Sequence, residues 1–280
     1  MTSTAGRPAA PDPAPTDDGR AGSGLRAGDA DGTIIVHTLP SVPNFRDLAG
    51  TEGYVTPHGP MRRGVVFRSS TVDPSPEDLA TLGALGIVAV HDLRGRGEID
   101  RRPDTVPAGA IWRHLAVPGL PPDRVRGLRT PSDVRDAMVE HYRGFVSAPH
   151  KRAGIGAALA AISAEDGPQV FHCAEGKDRT GWIAMLLQRL AGVSDADIVR
   201  DYLLTNERMQ ATGATLDVAR AFFGDRADDF FRPAMIADAA YLEAGTAQLE
   251  KDYGDLEGYL RKGLGLSDDQ LDRLRSLLVG

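Results

Sequence analysis

The chain carries a single cysteine, Cys173, and the residues around it constrain the fold more than any others. Gln169-Val170-Phe171-His172 reads as a buried strand and Gly181 to Leu190 as a buried apolar helix. The turn from one to the other is His172-Cys173-Ala174-Glu175-Gly176-Lys177-Asp178-Arg179-Thr180-Gly181. A strand-loop-helix unit of this kind belongs to a layered α/β fold. Its loop directs backbone N–H groups and the positive end of the helix dipole into one small concavity, which fits a dianionic phosphoryl group.

Cysteine and arginine in that loop suit one chemistry. A free thiol is only slightly ionised at neutral pH, and amide dipoles, a helix N-terminus and a nearby guanidinium all favour the thiolate nucleophile. Arg179, six residues on, offers a planar fork that holds two phosphoryl oxygens as the transferring group flattens. Thr180 is placed to hydrogen-bond the sulfur as it leaves. Cys173 and Arg179 are therefore the expected catalytic pair. Ala174, Glu175, Gly176, Lys177, Asp178 and Thr180 are expected to line the phosphate.

Alternating helix and strand signals extend over most of the chain. Ser75-Pro76 opens a helix that should run to Leu85 and stop at Gly86; Ile87-Val88-Ala89-Val90 follows as a strand. Ser194 caps a helix to about Asn206, and Ser267 caps a last one with Leu271, Leu274 and Leu278 on one face. Residues 1–32 hold almost no large apolar side chains and are expected to be a disordered tail, leaving one folded domain over 33–280.

Composition narrows the partners. The net charge of −7 disfavours nucleic acid, and no apolar run is long enough to span a bilayer. One cysteine excludes an internal disulfide and a cysteine-rich metal cage. With no secretory pattern at the N-terminus a cytoplasmic setting is expected, while export by another route stays open. The oligomeric state is not legible.

Cys-x5-Arg followed by Thr-Gly is similar to the signature of protein-tyrosine and dual-specificity phosphatases. HCAEGKDRTG resembles the form found in the atypical bacterial, mycobacterial PtpB-like members. Asn44-Phe45-Arg46-Asp47-Leu48-Ala49-Gly50 resembles that family's NFRDLGG segment, and Asp92-Leu93-Arg94, followed by Glu98, its DLR segment. Phe67-Arg68-Ser69 and Asp201-Tyr202-Leu203-Leu204 also fit. The resemblance runs from about Val42 to the C-terminus. It implies a central, mostly parallel sheet flanked by helices, no metal or other cofactor, and activity on phosphotyrosine in proteins, with phosphoserine/threonine or phosphoinositides as further substrates. It also implies a helical lid in some members, for which 118–145 and 211–244 are the candidates. Glu175 departs from the mycobacterial type, which has an apolar or small residue there, and disfavours polyanionic lipids if it faces the pocket.

A general acid must protonate the leaving oxygen. Asp92, just past a parallel strand, is the expected one, with Asp178 as the rival. His172 is expected to help hold the thiolate. Arg46 is expected to buttress the loop, paired with Asp47. Arg94, Arg96, Arg101 and Arg102 form a basic run near the proposed acid.

Overall fold

A computed structural model describes residues 38–209 and 227–279, together with Met1 and a short antiparallel backbone pairing of Leu25–Arg26 with Ile35–Val36. The expected disordered tail otherwise lies outside the described residues, as do 211–226 of the second lid candidate.

Five strands form the central sheet: β1 (Arg46–Asp47), β2 (Val66–Ser69), β3 (Ala89–Asp92), β4 (Ile111–His114) and β5 (Gln169–His172), in the order β1-β2-β5-β3-β4. β1 is antiparallel to β2 and the other pairings are parallel. The expected mostly parallel α/β sheet is present. Its register brings Ser69, His172, Asp92 and His114 level at one edge, the carboxyl ends where parallel α/β sheets build sites.

The two faces of the sheet are buried differently. Val170, Val90 and Phe67 point to a small cluster with Phe45, Val42 and Leu82 beneath α1 (Pro76–Ala84). Phe171 points the other way, into the main core, as the two-residue strand period requires. The turn from β3 leads into α2 (Arg96–Arg101), and a short α3 (Pro122–Gly127) follows β4. The main core is built by α4 (Pro131–Ser147), α5 (Pro149–Ser163), α6 (Asp178–Ala191) and α7 (Asp195–Arg208), then α8 (Ala227–Met235), α9 (Ala239–Tyr253) and α10 (Asp268–Val279). Tyr142, Phe145, Trp182, Tyr241 and Tyr259 stack or meet edge-on at its centre. Gly245 admits the Trp182 ring, because a Cβ there would lie 2.5 Å from it. None of the helices over the described residues is long and apolar enough to cross a membrane.

The caps fall where the sequence places them. Ser75, Ser194 and Ser267 each accept an N–H from the third residue on, and Leu271, Leu274 and Leu278 are buried. The third strand is displaced by two residues from its expected span: Ile87 N–H still bonds Leu82 of the preceding helix, so the ladder starts at Ala89. The lid candidate 118–145 divides. Only α3 has no buried residue, whereas α4 puts Val134, Met138, Tyr142 and Phe145 into the interior at helical spacing. Packed against α8 and α9, α4 is a core helix.

Candidate active site

Cys173 follows directly on β5, and the loop behind it is held by its carbonyls. Thr71 N–H and Oγ donate to Ala174 O at 3.1 and 3.3 Å. Asn44 Nδ2 donates to Glu175 O and Gly176 O, and Arg68 Nη2 to Gly176 O at 2.9 Å. With the carbonyls drawn into the scaffold, the peptide planes turn their N–H groups the opposite way. The amides of Ala174, Gly176, Lys177 and Arg179 donate to no protein acceptor among the described residues. Gly176 is required here: its φ is +65° and a Cβ would meet Ser69 O at 2.3 Å. α6 then begins at Asp178, so its free N-terminal amides join the same nest.

Asn44 has φ +60°, a left-handed conformation that asparagine tolerates better than most residues, and it is this turn that carries its amide to the loop. Behind it stands a fully buried ion cluster. Arg46 Nε bonds Asp201 Oδ1 at 2.9 Å, and Arg68 Nη1 bonds Asp201 Oδ2 at 2.7 Å. Burial alone would push the Asp201 carboxyl up, but Arg46 and Arg68 hold it below the usual carboxylate range. Burial, with Arg46 beside it, draws Arg68 down to about 10. Arg46 Nη1 donates to Asn44 O, and its ionic partner is Asp201, not the expected Asp47. Asp47 instead accepts from Ala49 and Gly64 N–H, and burial raises it to about 7.

Arg179 is 9% exposed and meets Glu98 end-on, Nη1 and Nη2 each donating to one carboxylate oxygen at 2.8 and 2.7 Å. Burial opposes the Arg179 charge, but Cys173 and Glu98 more than restore it. Glu98 Oε2 also accepts Gly95 N–H, which anchors the pair to the first turn of α2. Arg179 Nε donates to no acceptor among the described residues, so the end of the guanidinium is fixed while its side carries no bond there.

The two candidate acids are placed very differently. Asp92 is fully buried, and Arg94 folds back onto it: Nε to Oδ1 at 2.9 Å and Nη2 to Oδ2 at 2.8 Å, with the Arg94 N–H also on Oδ1. Arg94 engages both oxygens of Asp92, and the carboxylate has no exposed face. Arg94 itself is 1% exposed, so the expected basic run loses its first member to the interior. Asp178 is 22% exposed, and its Oδ1 alone accepts from Lys177 Nζ at 2.7 Å and Tyr142 Oη at 2.9 Å. Its Oδ2 makes no hydrogen bond. Burial works to raise the Asp178 carboxyl, but Lys177, His141 and the hydrogen bond from Tyr142 together hold it below the usual carboxylate range. Thr180 Oγ is buried with no partner, so the expected bond to sulfur is not made in this state.

His172 Nε2 lies 3.0 Å from Asp104 Oδ2, and its Nδ1 lies 3.1 Å from Cys173 O. Asp92, Asp104 and His172 bring ligand atoms within 4.8 Å of one another, as a metal site would. Arg94 already bonds both carboxylates and fills the role of the cation. On the other side of the loop Lys151 is 7% exposed, with Nζ 2.8 Å from His141 Nδ1 and 5.1 Å above the Phe145 ring. No acid pairs with it. Burial, with Arg179 nearby, draws it down to about 8. A cavity of about 730 Å³ lies behind the loop, between Arg46, Tyr54, Leu204 and Asp201, and not over Cys173.

Glu98, Asp104, Asp201 and Lys151 were assigned no role from the sequence. Glu98 and Asp201 stand inside segments quoted for other residues; nothing local marks the other two.

Residues 37–280 match the model of the tyrosine phosphatase family. The chain belongs to that family. It is a cysteine-dependent protein phosphatase, as its one cysteine and the family together establish. The "Triple specificity protein phosphatase PtpB" of Mycobacterium tuberculosis is 29% identical over 88% of this chain and 100% of its own length. The "Tyrosine-protein phosphatase" of Nostoc commune is 26% identical over 88% of this chain and 90% of its own. A crystal structure of P. aeruginosa TpbA covers 72% of this phosphatase and 88% of its own chain at 20% identity. Its TM-score of 0.28 is too low to add to the assignment.

Proposed function

We propose that this phosphatase hydrolyses phosphotyrosine in proteins through a phosphocysteine intermediate on Cys173. The observation that carries the reading is the loop itself: its Ala174, Glu175 and Gly176 carbonyls are tied from behind, which supports an anion nest of its amides next to Cys173, the one cysteine of the chain. Cys173 Sγ attacks phosphorus, the bond from phosphorus to the phenolic oxygen breaks, and its electron pair leaves with that oxygen. Arg179, held end-on by Glu98, grips two equatorial oxygens with its Nε side. Asp178 Oδ2 supplies the proton to the leaving oxygen. In the second step water attacks phosphorus, Asp178 takes its proton, and the sulfur departs as thiolate. Lys177 favours the ionised Asp178 that this second step needs; an arriving dianion opposes it and favours the protonated form that the first step needs.

A second reading, turnover of phosphoserine or of inositol phosphates, is favoured by Lys151, a buried cation near Arg179 that makes no salt bridge among the described residues.

One set of rates tests the assignment. The native protein should act fastest on a phosphotyrosine peptide, ahead of a phosphoserine peptide and a phosphoinositide. Asp178→Asn should lower kcat on the phosphotyrosine peptide by about 10²-fold but on 4-nitrophenyl phosphate by less than about tenfold, since the better leaving group needs little protonation. Asp92→Asn should affect both substrates in equal proportion. A leaving-group-selective loss that follows Asp92 would return the acid role to that residue.

A further inference from the structure

We propose that Asp104 is a positioning residue that holds His172 protonated on both ring nitrogens, so that a buried imidazolium stands beside the Cys173 nucleophile. Three observations lead there. His172 is fully buried and its two nitrogens face acceptors only, a carboxylate oxygen at 3.0 Å and a carbonyl oxygen at 3.1 Å. A neutral imidazole has one N–H and would leave one of these contacts without a proton. Second, the charges balance only with the imidazolium. Two buried carboxylates, Asp92 and Asp104, face one guanidinium, Arg94, and the fourth member of the group is His172, whose Nε2 is also 3.9 Å from Asp92 Oδ1. An unbalanced charge at 0–1% exposure is costly, and a protonated His172 makes the quartet neutral.

Third, Asp104 has no freedom to turn away. Oδ1 accepts from Val72 N–H at 3.1 Å and is ion-paired with Arg94 Nη2 at 2.9 Å, while Oδ2 accepts from Trp112 Nε1 and from His172 Nε2, both at 3.0 Å. Four donors around one carboxylate fix it as the anion. Burial works to raise it, but His172 and Arg94 draw it down to about 2. The other titratable group near the His172 ring is His91, on the adjacent strand; burial draws it down to about 4, and its Nε2 faces Gln169. On the sulfur side the charged neighbours are Arg68 and Arg179. The His172 imidazolium adds to these two, from the strand end rather than from the loop.

The inference rests on Cys173 being the nucleophile, but its first test does not need turnover. In ¹⁵N-histidine spectra of the native protein at pH 7, the His172 signals, assigned by their loss in His172→Gln, should show both nitrogens protonated. A neutral tautomer overturns the proposal. The second test is the pH dependence of Cys173 alkylation by iodoacetamide. Asp104→Asn removes a negative charge, which by direct Coulomb action would make the sulfur ionise at lower pH. Loss of the imidazolium acts in the opposite direction. The proposal therefore expects the midpoint of alkylation, and the acid limb of kcat/KM, to move up by about one pH unit, a tenfold change in rate on the acid side. An unmoved or lowered midpoint overturns it. If Asp104→Asn does not fold, the native spectra decide alone. If the spectra show the imidazolium but the protein releases no phosphate, it is the catalytic reading that fails.

Discussion

Arg179→Lys should leave the protein folded and lower kcat/KM for an aryl phosphate by about 10³-fold, most of it in kcat. On the proposed mechanism the guanidinium has two tasks at once: its end is held by both Glu98 oxygens, and its Nε side grips the phosphoryl group. A lysine ammonium keeps the charge but has one donor centre. It can pair with Glu98 or with a phosphoryl oxygen, and cannot present two parallel donors to an oxygen pair. Because the grip is needed most as the phosphoryl group flattens, the loss falls on the transition state, where removing one oriented donor commonly costs 10²–10³-fold. Initial rates with a chromogenic aryl phosphate, alongside a melting curve, check this. A loss confined to KM would show that Arg179 only binds the ground state.

Asp201→Asn should destabilise the fold by about 3–5 kcal/mol, lowering the melting temperature by roughly 10 °C. Among the described residues Asp201 is the only acid bonded to two buried arginines, Arg46 at 4% and Arg68 at 1% exposure. Losing that charge leaves two guanidinium groups facing each other in the interior with an amide between them. Breaking a buried pair by removing one partner is expensive because the other charge stays behind. The damage also reaches the loop, since Arg68 Nη2 donates to Gly176 O. Activity should therefore fall at temperatures where most of the protein is still folded. Thermal and urea melts of the two proteins measure the first effect; a difference under about 1 kcal/mol would mean that the cluster is solvated and not buried.

The parts legible in the sequence are the local ones. The strand, glycines and helix that shape the loop from His172 to Gly181 are contiguous in sequence, so the nest could be read there, although Asn44, Arg68 and Thr71 hold it from a distance. Capping serines act within four residues, so Ser75, Ser194 and Ser267 marked their helices. Partners distant in sequence were not legible. Glu98 reaches Arg179 across 81 residues and Asp104 reaches His172 across 68, and no local pattern marks either carboxylate. Arg46 illustrates the same limit: the sequence neighbour Asp47 looked like its partner, but on a strand adjacent side chains point to opposite faces, and the true partner comes from α7. Asp92 was correctly placed at the end of a strand, but position does not reveal that Arg94, two residues on, closes over its carboxylate. The two-residue β1, and β4 with its exposed Ile111, carry too little periodicity to be read.

The account depends on direct attack of sulfur on phosphorus. Mixing the enzyme with excess aryl phosphate, stopping it with denaturant within milliseconds and analysing the peptide that contains Cys173 by mass spectrometry tests that step. A phosphoryl group should be found on Cys173, rising with the burst of released phenol and absent in Cys173→Ser. Steady turnover with that peptide unmodified at every time point, or undiminished turnover by Cys173→Ser, would contradict the mechanism.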